Sequence, residues 1–247
     1  VSGLTFIPLG VGDAFSQLSY SSCLAVACGG RWLLLDCPHP IRKMMREAHP
    51  ALDIGDVEAV ALTHLHADHA SGLEGLAYFS FFHLGRRARV VAHPEVHARL
   101  WDGHLAAGME QMTNPAQPDG PKLRKQLADF VDWVPVTPGA AVEVGPFRLE
   151  CRPTRHHVPT TAFRVHAGGR VLSYSADTSF DPVLVDWLAE ADLVVHECNL
   201  GTHTPYASLA ALPPATRRKM RLIHLPDSFD VRGAAVEPLE QGRTYSV

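Results

Sequence analysis

Residues 64–69 read His-Leu-His-Ala-Asp-His, which places three imidazoles and one carboxylate within six positions. Each of these side chains can offer a lone pair to a divalent cation near neutral pH. In an extended or turning stretch His64 and His66 point the same way, and a helix starting near Asp68 turns Asp68 and His69 toward the same cavity. That spacing supplies two ligand pairs for two adjacent metal ions. Zinc is the first expectation, with manganese or iron as alternatives, because all accept nitrogen and oxygen donors.

The elements around the cluster must aim it. Apolar runs separated by short turns predict strands at Leu4–Leu9, Cys23–Cys28 and Trp32–Asp36, with Gly29 and Gly30 turning the chain between the last two. Ile41–Ala48 reads as a short helix. Val57–Leu62 is almost unbroken apolar sequence, as expected of a strand covered on both faces, and His64 sits just past its end. GLEGLAYFSFFHL is helical in pattern and ARVVAHP reads as a strand. Helical patterning recurs at Val96–Met109 and Leu123–Val131, with the loop TNPAQPDGP between them. The stretch from Glu95 to Trp133 is expected to be a helical cap over the site, which would exclude water; peripheral helices packed for stability are the alternative. Two hairpin-like segments follow, around VTPGAAVEVGPFRLECRP and TAFRVHAGGRVLSYSAD, with outer helices expected at Pro182–Glu190 and Leu209–Met220.

The chain has 247 residues, 46% of them hydrophobic and 19% charged, which suits one globular domain over residues 1–247. With 26 acidic and 22 basic residues the net charge is -4, so no overall positive field gathers nucleic acid. Five cysteines at irregular spacing form neither a disulfide framework nor a zinc knuckle. The N-terminal segment lacks the pattern of a secretory signal, and no run reaches the roughly 18 apolar residues of a membrane span. A cytoplasmic protein is the expectation.

HLHADH, following an apolar strand and preceding Gly72, resembles the HxHxDH signature of the metallo-β-lactamase fold superfamily, and the wider pattern is most similar to its ribonuclease Z-like phosphodiesterases. The resemblance implies an α/β fold, a four-layer αββα sandwich. It also implies further ligands downstream. RHHVPTTAFRV matches the segment that supplies a ligand histidine, assigned to His156 with His157 as the alternative. YSADTSF matches the segment whose aspartate, here Asp177, bridges two metals, and MRLIHLPD supplies His224. The implied division is His64, His66 and His156 on one ion, Asp68, His69 and His224 on the other, and Asp177 between them. VVHECNL resembles a supporting segment, with His196 and Glu197 beside the site. His203 in GTHTP is the nearest match to a histidine that moves a proton, a plain loop residue being the alternative. No long Gly/Pro-rich arm of the tRNA-gripping kind is present, and the loop near Lys122, Arg124 and Lys125 is only modestly basic.

The chemistry implied is hydrolysis by a hydroxide held between two metals and fixed by Asp68 and Asp177, with a proton supplied to the leaving group by His203 or a metal-held water. The substrate expected is a small-molecule ester or phosphodiester, with the phosphodiester first and nucleic acid not favoured. Asp36, an acid at the end of a hydrophobic strand, is expected to orient a ligand histidine, because an unpartnered buried carboxylate is costly. Arg164 can meet an anionic substrate or lie on the surface. A lactone or thioester hydrolase is a second reading, to be favoured if Trp101, Met109 and Phe130 line an apolar cap rather than a helical core. A di-iron oxidoreductase and a non-catalytic binding protein are further alternatives. A homodimer is compatible with the fold.

Overall fold

The structure, a computed structural model, describes residues 3–247. Val1 and Ser2, which the expected domain includes, lie outside the described residues. The first half of the chain runs β1 (Thr5–Gly10), β2 (Cys23–Cys28), β3 (Arg31–Leu35), α1 (Ile41–Ala48), β4 (Val57–Ala61), α2 (Ala67–Ala70), α3 (Leu73–His83), β5 (Ala88–Ala92), α4 (Pro94–Leu100), a π-helical turn (Trp101–Leu105), α5 (Ala106–Met109), β6 (Gln111–Met112), β7 (Leu123–Arg124), α6 (Leu127–Phe130) and β8 (Val131–Pro135). The second half runs β9 (Val142–Val144), β10 (Phe147–Pro153), β11 (Thr161–Ala167), β12 (Arg170–Tyr174), α7 (Pro182–Ala189), β13 (Leu193–Glu197), α8 (Tyr206–Ala210), α9 (Pro214–Lys219), β14 (Met220–Ile223), β15 (Glu237–Pro238) and β16 (Tyr245–Ser246).

Two seven-stranded sheets result, ordered β16-β1-β2-β3-β4-β5-β8 and β15-β14-β13-β12-β11-β10-β9. Both follow one plan. Strands β16 to β3 pair antiparallel and β3, β4, β5 and β8 parallel. Likewise β9 to β12 pair antiparallel and β12 to β15 parallel. The strands alternate between two buried faces. Leu33 and Leu35 enter a core shared with Phe163, Val165 and Val195 of the other sheet, whereas Leu34 enters a cluster with Met44 and Leu76 from the helices. Leu184, Leu188 and Leu209 cover the outer face of the second sheet through Val194 and Leu222. This is the four-layer αββα sandwich of the metallo-β-lactamase fold.

Three expected elements differ. The helix expected at Leu123–Val131 is helical only at Leu127–Phe130; Leu123 and Arg124 pair with β6, and Val131 begins the edge strand β8. The helix expected at Leu209–Met220 is split, because Pro213 and Pro214 lack the amide protons that would continue it, and Met220 belongs to β14. The helical stretch Val96–Met109 passes through the π-helical turn. Met109 and Phe130 are fully buried, and Trp101 packs beside them in the outer core of the first sheet. These three residues have the helical-core role, and the lactone reading loses the support it would have drawn from them. No helix among the described residues is long and apolar enough to cross a membrane. All five cysteines are buried and free.

Candidate metal centre

Parallel strands converge at the C-terminal edges of both sheets, where α/β folds characteristically leave room for a ligand. Asp36 follows β3, His64 follows β4, Asp177 follows β12, Glu197 ends β13 and His224 follows β14. Asp36, Ala176 and His224 have φ of 65°, 53° and 60°, and they are the only non-glycine residues with positive φ among the described residues. Each such conformation costs roughly 1–3 kcal/mol and persists only where its surroundings enforce it. Here it turns the chain off a strand end and into the site. Gly72 closes the other side of the His-rich turn: a Cβ there would stand 2.5 Å from the Pro38 carbonyl oxygen.

His64, His66, His156 and Asp177 each offer a donor atom, all within 4.8 Å of one another, and so do Asp68, His69 and His224. The Asp177 carboxylate stands between the two groups. Its Oδ2 is 3.7 Å from His64 Nε2 and 3.9 Å from His156 Nε2, while its Oδ1 is 3.2 Å from His69 Nε2 and 3.6 Å from His224 Nε2. Asp68 Oδ2 lies 3.2 Å from His224 Nε2 and 3.4 Å from His69 Nε2. A third grouping, Asp177, His203 and His224, overlaps these two. His157 stays outside all of them, its Nε2 3.1 Å from the outward-facing Nε2 of His66.

The outer hydrogen bonds set the imidazole tautomers. Asp36, fully buried, accepts from Thr63 N at 2.8 Å and from His69 Nδ1 at 2.7 Å. The Thr63 hydroxyl donates to Asp36 at 2.8 Å and faces His64 Nδ1 at 2.9 Å. With that hydroxyl proton committed to Asp36, its oxygen accepts from Nδ1–H of His64. Both rings are left with the Nε2 lone pair toward the site. His64 Nε2 then meets His66 Nδ1 at 3.0 Å, and His156 Nε2 lies 3.3 Å from the same atom. Three ring nitrogens converge on one another, and His69 Nε2 and Asp177 Oδ1 are buried without a hydrogen-bond partner. Buried polar atoms left in this state are expensive, and cations among them would satisfy the whole set. The donors therefore make a site capable of holding one or two divalent ions.

Electrostatics agree. Burial alone would raise the Asp177 pKa, but His69, His224 and His64 outweigh it and hold the carboxyl well below its ordinary range. Burial likewise opposes ionisation of Asp68, and the neighbouring His224 and His69 rings outweigh it, holding its pKa low. His203 sits differently. Its Nδ1 is 3.1 Å from Glu197 Oε1 and 4.0 Å from Asp177 Oδ2. The bond to Glu197 raises its pKa against the opposing effect of its partial burial, with Asp177 and Asp68 adding to the rise. Glu197 also accepts from the backbone amides of Thr178 at 2.9 Å and Thr204 at 3.3 Å.

Two expected participants lie elsewhere. Arg164 packs over the Trp187 ring at 4.1 Å and pairs with Glu190 at 2.7 Å and Glu150 at 3.6 Å, so it ties β11 to α7 on the outer face and does not meet the site. His196 alternates with Glu197 along β13; its Nδ1 faces the Glu197 carbonyl at 2.7 Å, its Nε2 is buried without a partner, and it makes no contact with the donor groups. Other participants were missed. Tyr174 donates to Asp36 at 3.3 Å, and Asn199 donates to Asp13 at 3.0 Å while its amide nitrogen lies 3.4 Å from His224 Nδ1. Thr63, adjacent to the His-rich turn, carried a local signal; Tyr174, Asn199 and Asp13 carried none.

Fold and donor groups together define a candidate divalent-metal site carried on the metallo-β-lactamase fold. Within that fold superfamily, residues 4–242 match the model of the anti-Pycsar protein Apyc1 family, and the chain belongs to that family. An anti-Pycsar protein Apyc1 of Bacillus phage BSP38 is 30% identical over 255 residues, with 96% of each chain covered. The cAMP/cGMP-dependent 3',5'-cAMP/cGMP phosphodiesterase B of Dictyostelium discoideum is 24% identical over 259 residues; the match covers 97% of this chain and only 22% of that protein. Among solved structures, the metallo-β-lactamase fold protein YhfI from Bacillus subtilis superposes with a TM-score of 0.74 at 18% identity over the full length of both chains.

Proposed function

We propose that the protein is a dinuclear-metal phosphodiesterase acting on a 3',5'-cyclic nucleotide. The observation that carries the dinuclear part is Asp177, whose two oxygens face different donor groups. The substrate class is supported by the family match together with the cyclic-nucleotide phosphodiesterase among the relatives. An open cleft lined by Arg155, His156, His157, Phe180 and His203 leads to the donors and gives a small anionic ester access.

His64, His66 and His156 would hold one ion, Asp68, His69 and His224 the other, and Asp177 both. Divalent ions there would lower the pKa of a water and neutralise charge on the phosphoryl oxygens. The chain's own residues do the rest. Asp36 and Thr63 keep the Nε2 lone pairs of His69 and His64 aimed inward. Asp68 and Asp177 remain anionic and can accept a hydrogen bond from the attacking water. His203, whose pKa is raised by its hydrogen bond to Glu197, lines the cleft and is placed to give a proton to the departing ester oxygen as the P–O bond breaks. The segment from α4 to α5 covers one side of the site as part of the same domain.

The test is hydrolysis of cyclic AMP, cyclic GMP and a bis-aryl phosphodiester by metal-stripped protein reconstituted with zinc, manganese or iron(II), with His66→Ala as background. A metal-dependent rate on a cyclic nucleotide, absent from the variant, is expected. Folded, fully metallated protein that cleaves a lactone or thioester and no phosphodiester would reverse the assignment.

A further inference from the structure

His64 and His69 each have an oxygen behind the ring, from Thr63 and Asp36, which accepts Nδ1–H and leaves Nε2 free for an ion. His224 has a nitrogen there: the side-chain Nδ2 of Asn199, which follows β13, lies 3.4 Å from its Nδ1. The two ends of an amide are alike in shape, so its other contacts must settle which end faces the ring. Asn199 Oδ1 accepts from the Leu200 amide at 2.7 Å, and Nδ2 donates to Asp13 Oδ2 at 3.0 Å. Only an oxygen can do the first and only a nitrogen the second. Asp13 is itself buried and held, because its Oδ1 accepts from the Phe15 amide at 2.9 Å and its own amide donates at 3.2 Å to the carbonyl of Leu225, one residue past His224. Turning the Asn199 amide over would set oxygen against carboxylate and nitrogen against N–H. The second proton of Nδ2 therefore faces His224, and Nδ1 accepts it. The ring's own proton is left on Nε2, where Asp68 Oδ2 accepts it at 3.2 Å.

A ring in this form has no Nε2 lone pair to offer. To hold an ion it must carry its proton on Nδ1, and that proton then points at the Asn199 N–H. We propose that Asn199 is a positioning residue that keeps His224 out of ligand form, and so makes the ion of Asp68, His69 and His224 the more readily exchanged of the two. The inference rests on the two-ion reading above and not on the choice of substrate. No net proton is gained or lost, since Nε2 gives one to solvent as Nδ1 takes one up. What is given up is the contact from Asn199, and Asp13 prevents that side chain from turning to relieve the clash. The reluctance lies in His224 and not in its whole donor group, because Asp36 already presets His69. In the first group Thr63 accepts from His64, and the outward Nε2 of His66 meets the His157 ring, which can accept or donate.

The experiment reads the ring and the metal separately. Long-range proton–nitrogen correlation spectra of metal-free protein should show His224 as the Nε2–H tautomer, and added zinc should convert it to Nδ1–H. Zinc affinities are then measured by competition with a chelator for the wild type, for Asn199→Ala, and for the exchange that combines Asp13→Asn with Asn199→Asp. The exchange keeps the bond between the two positions with its direction reversed, and it turns a carboxylate oxygen toward His224 as Asp36 does toward His69. The wild type should bind two zinc ions in unequal steps. Asn199→Ala should tighten the weaker step by roughly three- to tenfold, as expected for one hydrogen bond. The exchange should tighten it by about tenfold or more, as an outer carboxylate does for a ligand histidine. The tighter step should barely move. An Nδ1–H tautomer in the metal-free wild type overturns the proposal whether or not the variants fold, and a weaker step that neither change tightens overturns it while leaving the two-ion reading standing. One zinc ion per chain overturns both.

Discussion

Each half of the molecule brings one carboxylate–histidine pair to the metal centre, and the two pairs are built differently. In the first half Asp36 meets His69 at 2.7 Å with both side chains fully buried, and Thr63 and Tyr174 occupy the remaining lone pairs of the carboxylate. In the second half Glu197 meets His203 at 3.1 Å; Glu197 is buried, but His203 keeps about a fifth of its side chain exposed, at the cleft. A pair sealed from water fixes an orientation. A pair whose imidazole reaches solvent can also exchange a proton. On the proposed mechanism one geometry orients a ligand and the other serves as a proton donor, with exposure deciding which.

Removing the proposed proton donor gives the largest expected effect. His203→Ala should lower kcat on a cyclic nucleotide by roughly 10²–10⁴-fold. It should cost far less on a bis-aryl phosphodiester, whose leaving group departs without a proton. Steady-state rates on both substrates decide the matter, and equal losses would mean that His203 does something other than protonate. Next comes the buried pair: Asp36→Asn should weaken metal binding about 10–100-fold, read by competition with a chelator. Glu197→Gln gives the contrast, with the expected loss in kcat rather than in metal affinity. Should both variants shed metal alike, the distinction between the pairs collapses.

The smallest expected effect concerns His196, which neither pair uses. Burial lowers its pKa below the ordinary imidazole value of roughly 6.5, so it is neutral in the folded protein. The unfolded chain takes up a proton there that the folded chain refuses. The sign follows: stability is complete above that ordinary value and is lost as pH falls below it. His196→Gln should make the acid side of the stability–pH curve shallower by at most about one proton, measured by denaturant unfolding from pH 5 to 8. An unchanged slope would place the acid sensitivity elsewhere among the buried histidines.

How far the sequence could be read differs between the halves for a related reason. His64, His66, Asp68 and His69 are legible because a strand end and a four-residue helix bring them together within six positions, so local geometry suffices. His156, Asp177 and His224 each stand alone at the end of a strand. They could be named only through their resemblance to a known pattern, since nothing in their own surroundings separates a ligand from a turn residue. The prolines that split Leu209–Met220 stand in the sequence against its apolar spacing; at Leu123–Val131 the same spacing yields a single helical turn, Leu127–Phe130, between two strand segments.

What the sequence determined by itself was therefore local and periodic: strands with apolar residues on both faces, a hairpin at Gly29 and Gly30, the His-rich turn with its candidate metal donors, and an acid at Asp36 that had to find a partner. The tertiary structure decided what depends on meetings between distant segments. It chose His156 over His157 for the inner position, turned Arg164 outward onto Trp187, sent Met109 and Phe130 into the outer core, and set Asn199 between Asp13 and His224. The physical reason is that side-chain direction within an element follows from its own period, whereas the neighbour a side chain meets depends on how two sheets stack, and no single stretch of chain encodes that.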